Sequence, residues 1–253
     1  MTTIGTSGVV LTHSDAPVID MQGNVHTFCH AIEDAWTLTN STLSAGLSLR
    51  WFADTFCQEE RMLAEQKGMS IYAYLDERAE KIPIGAEQLL FLPYLIGERP
   101  PLHSPEDRGV FFGLSLHHTK EHLLRAVLEG VAYSLKICLA QFPLLDISFS
   151  QIILCGGGSK STLWRQMFSG IMHLPLSVPA STDTAVLGAA ILGGVGAKVY
   201  SDIKTGVLKA TSWQASYAPI EENYWAYEKY YHAFCMLYEN NKPLFQMLSQ
   251  LEK

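Results

Sequence analysis

Residues 153–164 read ILCGGGSKSTLW, and the fold turns on what that stretch is. An apolar run enters three consecutive glycines, Gly156, Gly157 and Gly158, and a helical pattern follows them. Two familiar phosphate motifs fail on spacing. A Walker A loop needs glycine directly before its lysine, and Ser159 precedes Lys160. The dinucleotide fingerprint needs a third glycine where Ser161 stands. What remains is a strand, a bare-backbone turn and a helix N-terminus. Such a turn lets a flat base or a phosphate approach the backbone beside free N–H groups. It equally suits a strand-to-helix turn that needs positive φ. Local sequence leaves both readings open.

Working outward, strands precede the glycines and then alternate with helices. TTIGTSGVVLTHS holds two apolar runs broken by Gly5-Thr6-Ser7-Gly8, which is hairpin chemistry. NVHTFCHAI and AWTLTNST read as further strands. Leu43, Leu47, Trp51 and Phe52 then share one helical face, with Ser41 or Thr42 placed as N-cap. SIYAYLDERAEKI is a second amphipathic helix. EQLLFLPYLIGERPP is a buried strand running into a proline-rich loop, and GVFFGLSLHH a short strand or turn. TKEHLLRAVLEGVAYSLKICLAQF is the clearest helix, capped by Thr119. FSQIILCGG and LPLSVPA are strands. The helix SKSTLWRQMFSGIM is expected directly after the glycines. DTAVLGAAILGGVGAKV has the Ala- and Gly-rich composition of a tightly packed buried helix. An aromatic-rich C-terminal helix closes the chain. This order predicts one α/β domain with a mixed sheet flanked by helices.

Composition narrows the function. The chain has 253 residues, 48% of them hydrophobic and 17% charged, with a net charge of −7. That balance argues against nucleic acid as a partner. Five scattered cysteines form no CxxC and suit a reducing compartment. The N-terminus lacks a signal-peptide pattern, and the most apolar run, 185–197, is too short to span a bilayer. The expectation is a cytoplasmic protein without a membrane partner.

Few other residues invite a chemical role. GTSG could wrap a phosphate with N–H groups and hydroxyls, or be an ordinary turn. Glu98 and Arg99 are read as a buried pair fixing a loop. His117, His118 and His122 have no metal-ligand spacing and are read as surface or cap residues. Trp36, Trp51 and Trp164 are read as core.

Three segments in order resemble a known family. They are Gly5-Thr6-Ser7-Gly8, the block 92–129, and 156–164 followed by Leu187-Gly188-Ala189-Ala190. The middle block is the most specific: Gly109, Phe111, Gly113 and Leu114, then His122-Leu123, then Ala126-Val127-Leu128-Glu129. Together they resemble the C-terminal domain of the FGGY carbohydrate kinases, from Ile4 to about Tyr230. The resemblance implies an actin and sugar-kinase (ribonuclease H-like) ATPase fold, with ATP and Mg²⁺ bound in a cleft between two domains. It implies a cofactor site of Gly5, Thr6, Ser7, Gly8, Gly46, Arg50, Gly156, Gly157, Gly158 and Ser161. Thr6 would contact the β- and γ-phosphates. Gly46 and Arg50 would line the nucleotide site. Gly157 would admit the adenosine, and Ser161 would sit by the adenine where relatives often carry Asn. VHTFCHAI and STLSAG look most like the D-xylulose-phosphorylating members, while HHTKEHLLRAVLEGV suits the gluconate-phosphorylating ones equally.

No D-x-G-[ST] phosphate strand and no aspartate in a G-x-x-D setting occur in this sequence. Asp15 and Asp20 are not assigned as bases, and no catalytic or metal-ligating residue is assigned. The resemblance therefore implies that 1–253 is the nucleotide-binding half of a kinase whose sugar-binding, catalytic half is absent. Turnover by this chain alone is not expected. A non-catalytic domain that folds and self-associates, for example as a homodimer, is the alternative of another class.

Overall fold

The computed structural model describes residues 1–181 and 183–251. Strands β1 (Thr2–Ile4), β2 (Gly8–Ser14), β3 (His26–Cys29) and β4 (Trp36–Thr42) come first. Helices α1 (Gly46–Phe56), α2 (Gln58–Gln66) and α3 (Ile71–Ala79) follow. A two-stranded ribbon, β5 (Leu90–Leu92) with β6 (Val110–Phe112), precedes the long helix α4 (Lys120–Leu139). The chain continues through β7 (Ile152–Cys155), α5 (Thr162–Met172), β8 (Leu176–Pro179), α6 (Thr184–Gly196), α7 (Ile203–Ala210), β9 (Trp213–Tyr217) and α8 (Glu221–Leu251).

The main sheet has the order β3-β4-β2-β1-β7-β8-β9. Its first half is antiparallel, β1–β7 and β7–β8 are parallel, and β9 returns antiparallel. The expected mixed sheet is therefore present. Period-two burial explains the layering. Ile4, Val10, Leu38, Leu154, Leu176 and Val178 face the helices and are buried, while Thr3, Val9, Thr37, Ile153 and Ser177 on the other face are only half-buried.

Helix α4 is the centre of the core. Leu124, Val127, Leu128, Val131 and Leu135 are all 1% exposed or less. It starts in a capping box in which Thr119 and His122 exchange bonds, so the cap expected at Thr119 is present and His122 belongs to it. Arg125 Nε donates to Glu129 at 2.6 Å, and Arg125 Nη2 donates to the Tyr227 hydroxyl at 2.9 Å. The Gly85 N–H donates to both oxygens of Glu129 at 3.1 and 3.0 Å. One buried ion pair thus ties α4 to α8 and to the turn after α3.

Four sequence expectations need correction. Ser41 and Thr42 end β4 rather than cap α1, which starts at Gly46 without a side-chain cap. A 3₁₀ turn, Gly157–Lys160, separates the glycines from α5. Glu98 is buried but makes no ion pair with the exposed Arg99. Its carboxylate instead accepts from the Thr42 hydroxyl (2.5 Å), the Leu43 N–H (3.0 Å) and the Arg99 N–H (2.9 Å), which still fixes the loop. Finally, α6 is a helix but not a buried one. Only Ile191 is buried in it, and Val186 is 64% exposed. Ala and Gly side chains reach too little to bridge to a distant layer, so α6 packs mainly on α7.

Candidate nucleotide site

The β1–β2 turn and the start of α1 build one wall together. The Gly46 N–H donates to the Gly5 carbonyl at 2.9 Å, and the Leu47 N–H donates to the Thr6 carbonyl at 3.0 Å. First-turn amides of a helix need acceptors, and the GTSG turn supplies them in place of a capping side chain. The contact is close enough that a Cβ on Gly46 would collide with the Gly5 carbonyl oxygen. Gly46 therefore locks the turn to the helix. Among the described residues, the Thr6 N–H makes no backbone bond, and Thr6 is exposed.

The opposite wall is the triple-glycine turn, and its three glycines have different jobs. Gly156 sits at φ +80°, and a Cβ there would lie 2.6 Å from the Ile4 carbonyl oxygen. A Cβ on Gly158 would meet the Ile4 side chain at 2.7 Å. Both are required by the turn. Gly157 is different, since its nearest neighbour would be 4.0 Å away. Its missing side chain leaves open space. The turn reading of GGG thus holds at Gly156 and Gly158, while Gly157 borders open space.

Ser161 is the N-cap of α5, accepting from the Trp164 N–H at 2.9 Å. Trp164 is 1% exposed, and its indole N–H donates to the Leu128 carbonyl at 3.0 Å, which pins the turn to α4.

Between these walls lies a cavity of about 430 Å³. Gly5, Thr6, Gly46, Arg50, Gly157, Gly158 and Ser161 all line it. Ser7, Gly8 and Gly156 lie outside the lining. Gly8 instead starts β2, where a Cβ would press on Leu135 and Ala45. Arg50 and Lys160 bring positive charge into the lining. A third wall, from α3, was not anticipated: Ser70, Tyr72, Ala73 and Asp76. Tyr72, Ala73 and Asp76 share a helix face at spacings of three and four. That pattern is visible in sequence but looks like an ordinary solvated face until something stands opposite it. Burial pushes the Asp76 carboxyl up to about 6, and Glu80 adds to the rise while a Ser161 hydrogen bond opposes it.

The volume falls in the range of small-molecule and cofactor sites. A glycine platform, helix N-termini and two cations form a donor set suited to an anionic, flat-ringed ligand. Among the described residues no group of three His, Cys, Asp or Glu side chains could hold a metal ion. None of their helices is long and apolar enough to cross a membrane.

Comparison with known proteins gives this geometry a context. The sequence model of the FGGY family of carbohydrate kinases, C-terminal domain, matches residues 1–197. A gluconokinase of Bacillus subtilis is 42% identical over 193 residues, covering 76% of this chain and 37% of that protein. A xylulose kinase of the same species is 31% identical over 250 residues, covering 99% of this chain and 48% of that protein. The chain thus spans about half the length or less of the curated relatives it matches. A ligand-bound xylulose kinase from Lactobacillus acidophilus superposes with a TM-score of 0.83 at 24% identity over 98% of this chain and 48% of that one, a likeness of fold.

Proposed function

The chain belongs to the FGGY family of carbohydrate kinases, and from that premise we propose that it is the nucleotide-binding half of a cytoplasmic kinase that phosphorylates a sugar or polyol with ATP. The observation that carries this is the convergence of the GTSG turn, the α1 N-terminus and the GGG turn on one cavity. Phosphoryl transfer asks a protein for positioning and charge neutralisation more than for covalent chemistry. Thr6 offers an N–H and a hydroxyl to the β- and γ-phosphates. Arg50 and Lys160 offset the phosphate charge. Gly157 leaves the adenosine room against bare backbone. Mg²⁺ bound to the nucleotide's phosphates would supply further charge neutralisation.

The attacking hydroxyl and the base that deprotonates it belong, in this reading, to a sugar-binding half outside these 253 residues. D-xylulose is the proposed acceptor, supported by a relative of that name matching 99% of the chain. Gluconate is the second candidate, supported by the higher identity, 42%, over a shorter segment. Calorimetric titration with ATP and Mg²⁺ tests the nucleotide site. Saturable binding is expected from the folded chain, and its absence would refute the proposal.

A reading of another class rests on a different observation. Helix α6 presents Ala185, Val186, Ala189 and Leu192 to solvent, an apolar face that suits self-association into a homodimer without turnover. Sedimentation at rising concentration tests it: a monomer throughout removes this reading.

A further inference from the structure

Arg165, near the start of α5, is only 7% exposed. Its Nε donates to the Ser159 carbonyl, inside the glycine turn. Its Nη1 donates to the Tyr217 hydroxyl at 3.3 Å, and its Nη2 to the Gln214 side-chain oxygen at 3.5 Å, both on β9. The guanidinium carbon lies 5.9 Å from the centre of the Tyr217 ring. All of these partners are neutral. Among the described residues no carboxylate pairs with Arg165 or with Lys160, and that includes Asp76, which lines the cavity.

A buried arginine without an acid is unusual, because a desolvated charge destabilises the chain unless an opposite charge faces it. Its place on the helix deepens the imbalance. A helix N-terminus favours negative charge and disfavours positive, yet the first turn of α5 holds no acid. Lys160 adds a second cation, at the end of the glycine turn. The α5 dipole, Lys160 and Arg165 thus converge on 157–161 with no ion pair to balance them. Arg165 itself does not line the cavity. Ser159, whose carbonyl it holds, stands between Gly158 and Lys160, which do.

Resting on the nucleotide-site reading above, we infer that Arg165 is a positioning residue of that site, whose buried charge acts on the phosphates through the glycine turn. The bound nucleotide is the anion that balances it. Arg50 and Lys160 reach the cavity as exposed side chains, so solvent and salt screen them. Arg165 is shielded from both, and a shielded charge is felt across a turn of backbone. Its bond to Ser159 fixes the spacing of Gly158 and Lys160. Its charge does a separate job, stabilising a polyanion seated on that turn.

Calorimetric titration of the whole chain with ATP and Mg²⁺ separates the two jobs. Arg165→Lys keeps the charge and gives up the fork of bonds to β9. Arg165→Gln keeps a donor for Ser159 and gives up the charge. Arg165→Met gives up both. Arg165→Lys should bind ATP as the unaltered chain does. Arg165→Gln and Arg165→Met should each bind about tenfold more weakly or worse, the scale of one buried charge acting on a polyanion across a protein interior. Circular dichroism establishes that each variant is folded. If Arg165→Lys loses as much affinity as Arg165→Met, the bonds matter and the charge does not. If Arg165→Gln binds like the unaltered chain, the charge contributes nothing. Either result overturns the inference while the nucleotide site stands. Should the two neutral variants fail to fold, Arg165→Lys decides: affinity retained supports the inference, and affinity lost overturns it. If the unaltered, folded chain binds no ATP, the nucleotide site and the inference fall together.

Discussion

At Gly46 a single missing methyl group holds two segments together. The GTSG turn and α1 meet so closely that a Cβ there would overlap the Gly5 carbonyl oxygen. Gly46→Ala should cost roughly 1–3 kcal/mol of stability, the usual price of overpacking, and should weaken ATP binding along with it. Denaturant titration and calorimetry on the same sample check both. Asp76 makes the opposite kind of prediction. Its pKa in the folded chain is raised from 3.8 to about 6. A raised acid lends stability below its unfolded pKa and loses that stability as pH rises through the folded one. The loss falls between pH 3.8 and about 6. Asp76→Asn should therefore be more stable than the unaltered chain above pH 6, by roughly 1 kcal/mol after discounting for solvent access. In a domain of this size that is roughly 2–4 °C in Tm. The gain should vanish below pH 4, and thermal melts at pH 4 and pH 8 measure it.

At the scale of elements, the Arg125–Glu129 pair joins α4, α8 and the turn at Gly85. Arg125→Met would leave the Glu129 carboxylate buried without its partner. Roughly 3–5 kcal/mol should be lost, and urea unfolding would show it. A loss under 1 kcal/mol would mean the pair does not connect these elements. This is also the scale at which sequence was most and least legible. Periodic burial made α4 and strands β1, β2, β4, β7 and β8 readable, because each has one face against the same core. Helix α2 and the α7–β9 segment went unread. Gln58–Gln66 buries only Ala64, and α7 buries only Gly206, so neither presses an apolar stripe into the core. The cap of α1 was misread because its acceptors are carbonyls from a distant turn, which no local pattern encodes. Helix α6 was misread because composition reports that a helix is apolar and says nothing about what covers it. For the cavity, the glycine turns and Arg50 were legible through the resemblance. Asp76 was not, because a lone acid on an amphipathic helix gives no sign of facing a cavity.

For the whole molecule, one sheet face is covered by α4 and its neighbours, and the cavity opens beside it. Ala185, Val186, Ala189 and Leu192 of α6 are exposed, and α6 packs mainly on α7. If that face drives self-association, Val186→Glu should shift the chain toward monomer in sedimentation, with its circular dichroism unchanged. The chain alone is expected to show no sugar-dependent ADP release with D-xylulose or D-gluconate. Turnover at ordinary enzyme rates in a coupled assay would mean the catalytic base lies within these 253 residues. The central claim, that the two glycine turns form a nucleotide site, meets its most direct test at Gly157. A Cβ there meets no protein atom closer than 4.0 Å, so Gly157→Val should fold normally and project into the cavity. Titrating ATP and Mg²⁺ into both proteins should show saturable binding to the unaltered chain and at least a tenfold loss, about 1.4 kcal/mol, in Gly157→Val. Equal binding by the two folded proteins, or none by either, would contradict it.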